Sequence, residues 1–166
     1  MSVNLSVRPF AQLDLIEQID QIIESTQLLP QSLKLEITES AIMDNNNSAA
    51  VILQKLRERS IQLSIDDFGT GYSSLSYLHS FPVNTLKIDK SFVQRIDGRP
   101  ENLGIITTIM SIAQAMKMSA IAEGIETTQQ LAQLRNLDCD FGQGYLFSKP
   151  MDAKKAIDLI ASNPRW

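Results

Sequence analysis

Residues 64–75, SIDDFGTGYSSL, decide how this chain is read. The preceding run, residues 61–65 (IQLSI), alternates as a strand does and leads directly into two adjacent carboxylates, Asp66 and Asp67. A turn marked by Gly69 and Gly71 follows, where glycine lets the backbone approach a ligand closely, and then a Ser/Thr-rich segment able to open a helix. Adjacent carboxylates repel one another. They stay ionised together only beside positive charge, and a divalent cation is the usual source of it. Taken alone, the stretch also fits a solvated Asp-Asp turn ahead of an ordinary helix cap, so the remaining strand ends have to decide.

Outward from this stretch, alternating runs recur at residues 2–7 (SVNLSV), 32–38 (SLKLEIT), 84–89 (NTLKID), 119–123 (SAIAE) and 139–147. Helical spacing separates them. Leu13, Ile16, Ile19 and Ile23 form one stripe, which Pro30 is expected to end because the residue before a proline disfavours the helix. Residues 44–48 read as a loop rich in possible caps, ahead of a helix carrying Val51, Ile52 and Leu56 with an exposed Lys55, Arg57, Glu58, Arg59 face. A short helix is predicted over 73–79, a long one on Leu103, Ile106, Ile109, Met110 and Ala113, one capped by Thr127 or Thr128, and a closing one over 152–161. Six strand–helix units in succession predict parallel strands joined by right-handed crossovers. The expected fold is α/β: a TIM-type (β/α) barrel with about six of the usual eight units.

A chain of 166 residues fits one domain, taken as 1–166, with a full hydrophobic core. The net charge of −4 argues against a nucleic-acid polymer as partner, which needs a basic face. The single cysteine, Cys139, has no partner for an internal disulfide and fits a reducing compartment. No apolar run reaches membrane-spanning length and no signal-peptide pattern opens the chain, so a cytoplasmic protein without membrane contact is expected.

The polar residues fall where a barrel places its chemistry. Strand ends deliver Asn4, then Glu36 and Glu39, then Asp66 and Asp67, then Lys87 and Asp89, then Glu123 and Glu126, then Gln143. In a parallel barrel these ends share one rim, the rim that carries active sites. Carboxylates with an amide carbonyl are hard oxygen donors suited to Mg²⁺ or Mn²⁺, and their number suffices for two ions clamping a phosphoryl centre. Blander readings stand beside this one. Asn4 also fits a strand-end turn, Lys87 a surface lysine or a Schiff-base lysine, and Glu126 a solvated residue in the first turn of a helix. His79, the only histidine, reads as exposed, Cys139 as buried and inert, and Met110, Met116 and Met118 as core packing.

Six motifs in order carry a resemblance: VNLS (3–6), LEITES (35–40), DDFGTGYSSL (66–75), LKID (86–89), AEGIET (122–127) and DFGQGYLFSKP (140–150). On these the chain is identified as a member of the EAL domain family, the bacterial cyclic-di-GMP phosphodiesterase module. The resemblance implies a TIM-type barrel and divalent-metal hydrolysis of one phosphodiester of cyclic-di-GMP, giving linear pGpG. Position by position it implies Asn4, Glu36 and Asp66 as ligands of a first Mg²⁺ or Mn²⁺. Asp66 bridges to a second ion, supported by Asp67 and Glu123. Lys87 orients the attacking water, Glu123 is the general base and Gln143 steadies the metal–water network. Glu39 braces the loop after Asp67, a loop tied to dimerisation, while Asp89 and Glu126 are candidate substrate or supporting residues.

The family's namesake Glu-Ala-Leu stretch, whose glutamate completes the first metal site, has no counterpart among these residues, so the barrel is expected to be incomplete at its N-terminal side. Weakened metal binding, exposed strand edges that favour a homodimer, and sensor domains upstream in a parent protein are the corresponding expectations. The competing expectation is a catalytically impaired module that binds cyclic-di-GMP or a protein partner.

Overall fold

Alternation along a strand sends every second side chain to the same face, and here the apolar set of each run meets the helices. The computed structural model describes residues 1–5, 14–43, 46–71, 78–97 and 99–166. The strands are β1 (Ser2–Asn4), β2 (Lys34–Thr38), β3 (Gln62–Phe68), β4 (Thr85–Ile88), β5 (Ser119–Ala122) and β6 (Phe141–Gly142). They pair in that order and every pair is parallel. Spatial order repeats sequence order, giving the incomplete TIM-like barrel that the six units predict.

The described helices are α1 (Leu15–Thr26), α2 (Glu39–Met43), α3 (Asn46–Glu58), α4 (Lys90–Val93), α5 (Pro100–Ala115), α6 (Thr128–Asn136) and α7 (Ala153–Ala161). Leu35, Ile37, Leu63, Ile65, Leu86, Ile88, Ala120 and Ala122 are buried in one cluster with Leu53 and Leu56 of α3, Ile106 and Ile109 of α5 and Leu134 of α6. Met110, Met116 and Met118 pack against this cluster, as expected. The residues between the apolar ones share the opposite face, where Glu36, Ser64 and Thr85 stand side by side in register. That face is the barrel interior. Arg59 grips Asp20 of α1 with two hydrogen bonds, Nε to Oδ1 at 2.6 Å and Nη2 to Oδ2 at 2.7 Å, and is therefore half-buried rather than part of an exposed face.

Leu63 is fully buried at the centre of this core. Leu63→Ala is expected to lower the free energy of unfolding by about 2–5 kcal/mol, read from the urea midpoint. A loss below about 1 kcal/mol would mean that the sheet–helix core is not what holds the fold.

Three local expectations are corrected. α1 stops at Thr26, before Pro30 has any influence, because Gln27 turns left-handed at φ 52. Pro30 instead opens a 3₁₀ turn, Pro30–Ser32, where its fixed φ suits the first position. Asn46 and Asn47, read from the sequence as loop, belong to α3. The run 139–147 yields only the two-residue strand β6, after which the chain leaves the ladder in a turn. The short helix expected over 73–79 lies almost wholly outside the described residues, and His79 at its end is exposed as expected.

Candidate active site

The site is built on an irregularity in β3. Ser64 pairs with Thr85 and Ile65 with Leu86, and pairing resumes at Phe68 with Ile88. Two residues, Asp66 and Asp67, thus stand opposite the single residue Lys87, which makes a β-bulge. Asp67 sits at φ 53, a left-handed conformation that aspartate tolerates better than most residues. Its N–H donates to Oδ1 of Asp66 at 3.1 Å. In a regular strand the two carboxylates would face opposite sides of the sheet. The bulge turns both inward, and with Glu123 they present oxygens that all lie within 4.8 Å of one another.

Lys87 is the hub. Its Nζ donates to Oε2 of Glu36 at 2.6 Å, to Oδ1 of Asp66 at 2.9 Å and to Oε1 of Glu123 at 2.7 Å. The residue is 4% exposed, which rules out the surface-lysine reading. Three carboxylates around one ammonium also argue against a Schiff-base lysine, which needs a neutral amine. Burial alone would push the Lys87 pKa down, but the hydrogen bonds it donates to Glu123, Glu36 and Asp66 outweigh it and hold the ammonium well above the ordinary lysine range. Burial raises the Glu123 carboxyl, and the Lys87 bond only partly offsets this. Asp67 is raised as well, by burial first and then by the charges of Asp66 and Asp89.

Asp89 meets Asp67 side chain to side chain. It caps α4 by accepting from the Ser91 N–H at 2.9 Å. Burial opposes its ionisation, yet the bonds from Ser91 prevail and keep its pKa below the usual carboxylate value. Glu39 opens α2 immediately after β2 and is buried. Its Oε2 accepts from the Gly69 N–H at 3.1 Å, and a Cβ on Gly71 would lie 3.3 Å from its Oε1, so Glu39 fills the space beneath the turn that follows the bulge.

The structure therefore brings together Glu36, Asp66, Asp67, Lys87 and Glu123, with Asp89 and Glu39 adjoining. Asn4 pairs in register with Glu36 on the neighbouring strand and is exposed. Gln143 follows β6, its N–H donating to the Ala122 carbonyl at 2.9 Å, and its side chain is exposed. Among the described residues, no hydrogen bond joins the side chains of Asn4, Gln143 or Glu126 to the cluster. Glu126 is exposed and lies one residue ahead of the cap of α6 rather than in its first turn. Cys139 is half-buried; its Sγ donates to the Phe141 carbonyl at 3.4 Å, and burial pushes the thiol up, as suits an unreactive residue. Gln130 was not singled out by sequence reasoning, although Thr127 and Gln130 stand at capping-box spacing.

The closely spaced carboxylate oxygens of Asp66, Asp67 and Glu123 are a donor set that fits a hard divalent cation. A parallel half-barrel with such a cluster at the C-terminal ends of its strands defines a TIM-type barrel protein with an acidic rim. Residues 1–150 match the profile of the EAL domain, and the chain belongs to that family. It is 41% identical over 151 residues to the cyclic di-GMP phosphodiesterase NbdA of Pseudomonas aeruginosa, covering 91% of this chain and 19% of that protein. The PaMucR phosphodiesterase, solved as a c-di-GMP complex, superposes with a TM-score of 0.89 at 37% identity, covering 93% of this chain and 63% of that one. Klebsiella pneumoniae BlrP1, solved with manganese and cyclic di-GMP, gives a TM-score of 0.82 at 27% identity, covering 90% and 38%. The chain spans about a fifth of the length of the first curated relatives it matches. None of the described helices is long and apolar enough to cross a membrane.

Proposed function

We propose that this chain hydrolyses one phosphodiester of cyclic-di-GMP to linear pGpG with Mg²⁺ or Mn²⁺, and so lowers the level of a second messenger in the cytoplasm. Lys87 ringed by Glu36, Asp66 and Glu123, with Asp67 alongside, is the observation that carries the reading. Glu36, Asp66 and Asn4 would hold one cation, and Asp66, Asp67 and Glu123 a second. Bound there, such ions make a coordinated water acidic enough to be a nucleophile at neutral pH.

The chain's own residues do the rest. Lys87 is positioned by its three acceptors, and once cations take over part of those carboxylates an N–H is freed to orient a water or a phosphoryl oxygen. Glu123 accepts the proton of the attacking water, and Gln143 steadies the waters around it. Glu39 holds the turn at Gly69 so that Asp66 and Asp67 keep their inward aim. Sensor domains in the parent protein and pairing of two copies fit the same reading.

Incubating the chain with cyclic-di-GMP and Mn²⁺ or Mg²⁺ should yield pGpG by chromatography, and EDTA should abolish it. Binding of cyclic-di-GMP without conversion would replace this reading with that of a ligand-sensing module.

A further inference from the structure

We infer that Gln130 is a positioning residue: its side-chain amide locks the turn between Glu123 and α6 onto α4, and so fixes Glu123 and Gln143 relative to Lys87 and Asp89. The inference rests on the catalytic reading just proposed.

Gln130 is a buried polar side chain on the third residue of α6. Its Oε1 accepts from the N–H groups of Glu126 at 2.8 Å and Thr127 at 3.0 Å, and its own N–H donates to Thr127 Oγ1 at 3.2 Å. This is a capping box, and a capping box uses only the oxygen of the amide. The remaining nitrogen, Nε2, donates to the Val93 carbonyl at 3.3 Å, a bond the cap does not require. Val93 ends α4, the one-turn helix whose cap is Asp89.

The turn that Gln130 anchors is shared by two of the proposed catalytic residues. Glu123 enters it with its N–H donating to the Ile88 carbonyl at 3.1 Å. Gly124 follows at φ +72, so close to α4 that a Cβ there would lie 2.6 Å from the Cβ of Lys90. Ile125 then donates its N–H to the Gln143 carbonyl at 3.0 Å and accepts from Leu146 N–H at 2.9 Å. Segment 123–127 thus leans on α4, with Gly124 on Lys90 as the steric contact and Gln130 on Val93 as the polar one, and segment 141–146 is bonded to 123–127. A glutamate at 130 would cap α6 equally well, since the family of such boxes accepts either residue. It would lack the donor for Val93 and would set a carboxylate against that carbonyl.

The test separates capping from bridging. Gln130→Glu keeps the cap and breaks the bridge; Thr127→Ala removes the reciprocal cap bond and keeps the bridge. With cyclic-di-GMP and Mn²⁺, Gln130→Glu is expected to lower kcat roughly tenfold with KM changed less than about twofold. Thr127→Ala is expected to lower the thermal midpoint while kcat stays within about twofold. Unchanged kcat in Gln130→Glu, or an equal fall in Thr127→Ala, overturns the inference. Where Gln130→Glu does not fold, Gln130→Met is compared with Thr127→Ala by the same criterion. If the parent chain hydrolyses nothing, the functional reading fails, and amide exchange then judges the positioning role separately. Faster exchange at Glu123 and Ile125 in Gln130→Glu, with α6 protected as before, upholds it; unaltered exchange there overturns it.

Discussion

Lys87→Met is expected to lower the stability of the metal-free protein by about 3–5 kcal/mol, the usual consequence of removing one partner from a buried ionic cluster. Methionine nearly preserves the length of the stem and removes only the ammonium. Glu36, Asp66 and Glu123, which now lie 2.6, 2.9 and 2.7 Å from Nζ, would then face one another with no cation between them. Like charges about 4 Å apart in a medium of effective dielectric near 20 repel by roughly 4 kcal/mol, and the carboxyls relieve this by taking up protons. The sign of the pH dependence follows. In the variant Glu123, whose pKa burial already raises, loses the Lys87 bond that partly offsets the rise, so the folded state binds more protons than the unfolded one. The penalty is therefore small below about pH 4 and grows as the pH climbs through the raised values.

Added Mn²⁺ supplies the missing positive charge. It should stabilise Lys87→Met more than it stabilises the parent, because in the parent the ammonium already neutralises part of the cluster. Urea unfolding at pH 4 and pH 7.5, each with EDTA and with Mn²⁺, gives all four comparisons. Equal penalties at both pH values would sink the electrostatic account of the cluster. Mn²⁺ that helps both proteins equally would mean that these carboxylates are not its site.

What the sequence reveals and what it hides both follow from the range of the interactions involved. The strands and their polar ends are legible because alternation is local: LEIT and SIDD show their inward and outward sets without reference to any other segment. The gathering of Glu36, Asp66, Lys87 and Glu123 follows from parallel order alone, since parallel strands bring their C-terminal ends to one rim. The bulge is not legible. Asp66 and Asp67 read as neighbours that should face opposite ways, and only the count against Leu86–Ile88 on the next strand shows that one residue is extra. The grip of Lys87 is hidden for the same reason, as its three partners come from three other strands or their ends.

Short elements fail for a different cause. α2 and α4 have five and four residues, too few to display a helical period, and they exist because β2 and β4 deliver them already capped or packed. The strand expected over 139–147 breaks off after Gly142 because the chain must pass within contact of the 123–127 turn. At Gly144 a Cβ would fall 2.1 Å from the Ile125 carbonyl oxygen, a proximity no alternation pattern records. Gln130 lay in plain view at capping-box spacing from Thr127, but the bond from Nε2 to Val93 needs the tertiary fold.

The two adjacent aspartates should respond to the same substitution with opposite changes in stability and with a loss of activity in both. Asp66→Asn keeps an Oδ1 able to accept the Asp67 N–H, so the bulge persists. It removes one of the three negative partners of Lys87 and so destabilises the metal-free fold. Asp67 is in the reverse position. Burial and the charges of Asp66 and Asp89 raise its pKa, so its ionisation in the folded state costs stability. Asp67→Asn removes that strain, tolerates the left-handed backbone as aspartate does, and should raise the thermal midpoint in EDTA.

Turnover of cyclic-di-GMP with Mn²⁺ should nevertheless fall roughly a thousandfold in Asp66→Asn, the upper end of what removing one charge-stabilising group does, and by at least about a hundredfold in Asp67→Asn. Mn²⁺ titration by calorimetry should show weaker binding in both. A residue that costs stability and is needed for the reaction marks a site arranged for chemistry rather than for folding. Should Asp67→Asn turn over as fast as the parent, the bulge would be a structural irregularity, and the second cation would have no place at Asp67. Should it lose stability as Asp66→Asn does, the crowding of Asp66, Asp67 and Asp89 would not be the unfavourable arrangement that their positions imply.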